Sequence, residues 1–64
     1  MEIKDKFKKF RLMTKLRQKD CAELFGVRLT TWQAYEYGVN NPSKSKLIIL
    51  KHEIEKRGLD LEAP

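Results

Sequence analysis

Cys21 and His52 are the one pair of side chains among the 64 residues suited to thiol-nucleophile or metal chemistry. A nucleophilic thiol needs a base held beside it, and the usual zinc site needs three or four protein ligands. One cysteine and one histidine fall short of such a ligand set, and the apolar spacing around Cys21 turns its thiol toward a core. No catalysis, no metal and no other cofactor is therefore expected. A different chemistry is open to Leu29, Thr30, Gln33, Ala34 and Tyr37. At about 100° per helical residue, Thr30, Gln33 and Tyr37 share the side opposite Trp32 and Tyr35, with Leu29 and Ala34 on its flanks. All five are uncharged in a chain of which 36% is charged. Gln can pair with adenine N6 and N7, while aliphatic groups and the threonine methyl can touch the thymine methyl in a major groove. Carboxylates, which phosphate repels, are missing from the set. A face that met only water would here carry Lys and Glu, as the neighbouring segments do. The residue types therefore suggest a surface that reads DNA, with an unpartnered neutral face as the plain alternative.

The charge balance agrees with an anionic partner. Lys and Arg outnumber Asp and Glu by 14 to 9, for a formal charge of +5 and a pI near 9.6. Such an excess suits nucleic acid or an acidic membrane surface. It is concentrated in residues 1–19, which hold eight basic and two acidic side chains. The basic first segment could lie on an anionic membrane, but Phe7 and Phe10 are needed for so small a core. No apolar run approaches the roughly 18 residues of a membrane span, and no secretory apolar region follows the start. A single cysteine cannot form an internal disulfide, which favours a reducing compartment. A cytoplasmic location without a membrane partner is the expectation.

The elements that must position these groups read as helix nearly throughout. Ile3, Phe7 and Phe10 recur at steps of four and three, predicting a basic amphipathic helix over 3–14. A second helix over 18–25 buries Cys21, Ala22 and Phe25, with Leu16 placed to staple its start against Cys21. Gly26 stops it, since the residue after a helix commonly takes the left-handed conformation. A third helix runs over 29–37 to Gly38. Ser43 is placed to cap a fourth over 44–57, closed by Gly58. No alternating strand pattern occurs. The prediction is an all-α, compact four- to five-helix bundle containing a helix-turn-helix, with a domain over 1–58 and a short, loosely held acidic tail over 59–64.

Gln18, Ala22, Gly26, Val27, Trp32, Tyr35, Glu36, Gly38, Pro42, Ser43 and Leu47 stand in a spacing that resembles the lambda-repressor/Cro-like helix-turn-helix family. That family shows a Gln, a small residue four on, a Gly four further, an apolar pair in the recognition helix, then Glu-x-Gly and a Pro-Ser helix start. The resemblance covers about residues 3–57 without a gap. Arg17 and Arg28 depart from it, standing where the family places Ser, Thr or Asn as helix caps. Lost caps would cost about 1 kcal/mol each. The matched positions also have physical reasons. Ala22 is small where two helices must cross closely, and Trp32 and Tyr35 fall on one side of helix 3, toward Phe7, Phe25 and Leu47, as core filling.

The resemblance implies a sequence-specific transcriptional regulator, a repressor, binding a palindromic operator in double-stranded DNA as a homodimer. Base reading is expected from Arg28, Leu29, Thr30, Gln33 and Ala34, and the resemblance adds roles beside them. Gln18 would reach the DNA backbone and brace the recognition helix, and Tyr37, Asn40 and Asn41 would contact backbone beyond that helix. It also implies a pair between Arg11 and Glu36. Arg17, Lys19, Lys44 and Lys46 lie near helix starts, where phosphates are favoured. For the homodimer, the spacing of helix 4 sends Leu47, Leu50 and Ile54 inward. Ile49 then points away and Ile48 lies between, so that Ile48, Ile49, His52, Leu59 and Leu61 form an exposed apolar patch. The competing reading is a protein-interaction module that uses the same neutral face of helix 3 without binding DNA.

Overall fold

The computed structural model describes residues 2–62, so position 1 of the expected domain and positions 63 and 64 of the expected tail lie outside it. Four helices follow in order: α1 (Ile3–Thr14), α2 (Gln18–Phe25), α3 (Leu29–Tyr37) and α4 (Lys44–Arg57). There is no strand among the described residues. The architecture is an all-α four-helix bundle, and the helix limits are those the sequence spacing predicts.

Each helix ends on a left-handed residue. Gly26, Gly38 and Gly58 supply it for α2, α3 and α4, with φ between +66 and +76°. For α1 the residue is Lys15 at φ 59°, a conformation that disfavours a side chain. Thr14 supports that end by donating its hydroxyl to the carbonyls of Phe10 (2.9 Å) and Arg11 (3.1 Å).

The helix starts are less regular. Arg17 has no side-chain acceptor, yet the Asp20 carboxylate three residues on accepts from the Arg17 backbone N–H (3.2 Å) and from its Nε (3.0 Å). That is the returning half of a capping box, and it partly replaces the missing cap on α2. Arg28 makes no cap bond at α3. Ser43 stands at the cap position of α4, but its hydroxyl pairs with the Ser45 hydroxyl at 2.9 Å and caps no backbone N–H. The capping role expected of Ser43 is therefore not made.

Aromatic rings fill the centre. Phe7 and Phe10 of α1, Phe25 of α2 and Trp32 of α3 are fully buried, with Cys21, Ala22, Tyr35 and Leu50 around them. Phe7 meets the rings of Trp32 and Tyr35 at 5.2 Å each, and Phe25 meets Trp32 at 5.0 Å. These tilted and edge-on pairs keep the spacing that aromatic quadrupoles favour. The helix that carries the neutral face thus packs its other side against both α1 and α2.

Helix α4 is rolled about its axis relative to the prediction. Leu50 lies deepest. Leu47 and Ile54 form one half-buried shoulder and Ile49 the other, all packed against the core. Ile49 does not point away, because the inward arc of α4 is centred nearer Leu50 and Glu53 than Leu47. Glu53 holds Arg57 at 3.0 Å, and the Arg57 guanidinium lies over the Phe10 ring at 5.9 Å. The start of the expected tail is also packed: Leu59 lies against the core and Leu61 is buried at 6% exposure. The expected apolar patch therefore loses Ile49, Leu59 and Leu61, leaving Ile48 and His52 exposed.

Candidate nucleic-acid interface

The turn Gly26–Val27–Arg28 joins α2 to α3 and fixes which side of α3 faces out. Gly26 donates its N–H to Glu23 and Val27 to Ala22, closing α2 tightly, while half-buried Val27 plugs the turn into the core. Trp32, Tyr35 and Glu36 are then inside. Leu29, Thr30 and Tyr37 are exposed, and Gln33 and Ala34 are half-exposed between them.

Glu36 is the one charged residue of α3, and it is turned inward with a side-chain exposure of 2%. Arg11 grips it with two bonds, Nε to Oε2 at 2.7 Å and Nη2 to Oε1 at 2.9 Å. The Trp32 indole N–H donates to the same carboxylate. Hydrogen bonding to Glu36 raises the Arg11 pKa, so the guanidinium stays charged despite partial burial. No buried side-chain nitrogen or oxygen among the described residues lacks a partner. The solvent side of α3 is left wholly neutral.

Two glutamines meet on that side. Gln33 Nε2 donates to Gln18 Oε1 at 3.1 Å, tying the middle of α3 to the first residue of α2. This uses one of the two N–H bonds of Gln33 and leaves its Oε1 and second N–H available. The bracing that the family resemblance implies for Gln18 thus has a counterpart here, made through the Gln33 side chain.

Cations stand at the starts of three helices. Arg17 and Lys19 are exposed at the start of α2, Arg28 before α3 and Lys44 at the start of α4. Lys46 is half-buried, and its ammonium approaches the α2–α3 turn to 4.0 Å from where a β-carbon on Gly26 would lie. Asp20 holds the Arg17 guanidinium against α2, and this hydrogen bonding lowers the Asp20 pKa while raising that of Arg17. At the last residue of α3 and beyond it, Tyr37, Asn40 and Asn41 are exposed. Val39 and Asn40 both return their N–H groups to the Ala34 carbonyl, which folds the loop back on the helix.

Lys4 was not among the expected contacts. Its stem lies across Gly38, where a β-carbon would come within 3.0 Å of Cδ. An open cleft of about 430 Å³ there is lined by Glu2, Ile3, Lys4, Tyr37, Gly38 and Asn41. Lys4 Nζ is also 3.7 Å from Glu2. The approach of α1 to the end of α3 is a long-range feature with no local sequence signal. Among the described residues no group of three or more His, Cys, Asp or Glu side chains could hold a metal. No described helix is long and apolar enough to cross a membrane. Comparison with protein-family models, curated proteins and solved structures finds no match.

Proposed function

We propose that the chain is a helix-turn-helix regulator that binds double-stranded DNA by sequence, reading the major groove with α3, and that it acts by binding without catalysis. The observation that carries this reading is the solvent side of α3. It holds no charge, because Glu36 is turned inward, while Arg17, Lys19, Arg28, Lys44 and Lys46 stand at or beside the starts of α2, α3 and α4. Phosphates would meet the cations while base edges met Thr30, Gln33, Ala34 and Leu29. The Gln18 bond supports the assignment of Gln33, since it restricts the amide while leaving one donor and one acceptor for adenine N7 and N6. The lambda-repressor/Cro-like spacing supports the same reading and adds a repressor's role. It also adds a palindromic operator bound by two copies, because one recognition helix spans only a few base pairs.

Selection of bound sequences from a random DNA pool, followed by titration of the best site at several salt concentrations, tests the proposal. Affinity should fall steeply with salt as counterions are released. Gln33→Ala should weaken the selected site by about 1–3 kcal/mol and relax one A·T position, with little change on unrelated DNA. A sequence preference unchanged in Gln33→Ala removes base reading from α3. A chain with no salt-sensitive DNA binding gives its neutral face to a protein partner instead.

A further inference from the structure

Two copies on a palindromic site need a surface on which to meet, and burial of Leu61 with the packing of Ile49 and Leu59 against the core leaves the expected patch too small. A different surface is open. Between α1 and α4 runs a groove of about 440 Å³, lined by Ile3, Leu47, Leu50 and Ile54 and edged by Lys6, Lys51 and Glu55. Ile48 lies seven residues before Glu55, within about 20° of it around the helix. At 48% exposure Ile48 carries the apolar surface over the α4 rim. None of the residues assigned to base or phosphate contact lines this groove.

The charges of the rim say what fits. Lys51 and Glu55 sit one turn apart on α4, and neither joins an ion pair among the described residues. An identical helix laid antiparallel brings Lys51 of each copy beside Glu55 of the other. Ile54 is one residue from the axis of that pairing, so the two Ile54 side chains meet near its centre. Lys6, on the α1 rim, adds a second cation to the groove. A surface that complements itself under a two-fold rotation is the requirement for an isologous dimer.

We propose that this α1–α4 groove is the docking surface for a second copy of the chain, with the two α4 helices antiparallel and Lys51 paired to Glu55 across the two-fold axis. An acidic helix from another protein would meet Glu55 as well as the lysines, and a basic one would meet Lys6 and Lys51. The reversed copy answers both signs in register. The biological use of the dimer rests on the reading as an operator-binding regulator, but the pairing itself needs no DNA.

Sedimentation of the full chain without DNA, over a wide concentration range, tests the proposal. The parent should show a reversible monomer–dimer equilibrium. Lys51→Glu and Glu55→Lys should each weaken it by about tenfold or more, by setting like charges against each other twice. The double variant should recover to near the parent, and an equimolar mixture of the two single variants should pair more tightly than either alone. Thermal melts identify any variant that has lost its fold, and the mixture of folded single variants decides the case if the double variant fails to fold. A parent that stays monomeric, single variants that pair like the parent, or a mixture no tighter than its components overturns the proposal. Dimerisation that follows this pattern in a chain without DNA specificity would retain the dimer and discard the regulator.

Discussion

Glu36 joins three requirements that pull against one another. A carboxylate on α3 would repel phosphate if exposed, and burying it unpaired would cost several kcal/mol. Arg11 answers with a two-pronged grip and Trp32 adds its indole N–H, so the charge is kept away from the outer face and fully bonded. Removing one member should leave the other unsatisfied. Arg11→Ala and Glu36→Ala are each expected to destabilise the fold by about 3 kcal/mol, the lower end for a broken buried pair because Arg11 keeps some solvent contact. The double variant should cost clearly less than the sum of the two. Urea unfolding of the four proteins in a double-mutant cycle measures this, and strict additivity would mean that the pair does not couple α1 to α3. The partnership of Arg11 with Glu36 was readable only through the family spacing, because 25 residues separate them. The Trp32 contribution had a local signal, its four-residue spacing from Glu36 on a helix.

The helices owe their limits to short-range chemistry, which explains why their boundaries were legible. Glycines marked three of the four ends. The end of α1 carried no glycine, and Lys15 takes the left-handed conformation instead. Lys15→Gly should therefore stabilise the protein by roughly 0.5–1 kcal/mol, read as a higher urea midpoint at constant slope. Gly26→Ala should do the opposite by about 1 kcal/mol, since its φ is +67°. At the start of α2 the relevant group is Asp20, whose pKa is lowered first by the Arg17 side chain and then by the Arg17 backbone N–H. A depressed folded-state pKa contributes stability that is present above the unfolded value, near 3.9, and is lost as pH falls through the folded value. Melts between pH 6 and pH 2 should show a shallower acid limb for Asp20→Asn than for the parent; identical limbs would remove Asp20 from the account of this helix start. The roll of α4 is a different matter. Leu47, Ile48, Ile49, Leu50 and Ile54 leave little polar contrast around that helix, so its inward arc is set by the packing of Leu50 into the core and of Arg57, held by Glu53, over Phe10. That choice is tertiary, and with it went the identity of the exposed apolar residues.

Within an envelope of 27 × 21 × 21 Å there is room for one cluster of rings, and α3 supplies its centre through Trp32 and Tyr35. Thus the helix whose outer face is proposed to read DNA is packed against both α1 and α2, which favours a fixed geometry for Gln33 and Thr30. So small a domain leaves no second core to hold the rest if the first opens. Cys21 provides a direct probe of this cooperativity. It is fully buried, and burial pushes its thiol up to about 11, so the native state offers neither access nor thiolate to an alkylating reagent at neutral pH. Labelling should proceed only through opening of the core. In a single cooperative unit, the opening free energy obtained from labelling under rapid reclosing should match that from circular dichroism, with the same dependence on urea. Arg11→Ala, which loosens α1 from α3, should then speed labelling by the factor its loss of stability predicts. Rapid labelling of the parent, insensitive to urea, would mean that α2 lifts from the ring cluster on its own.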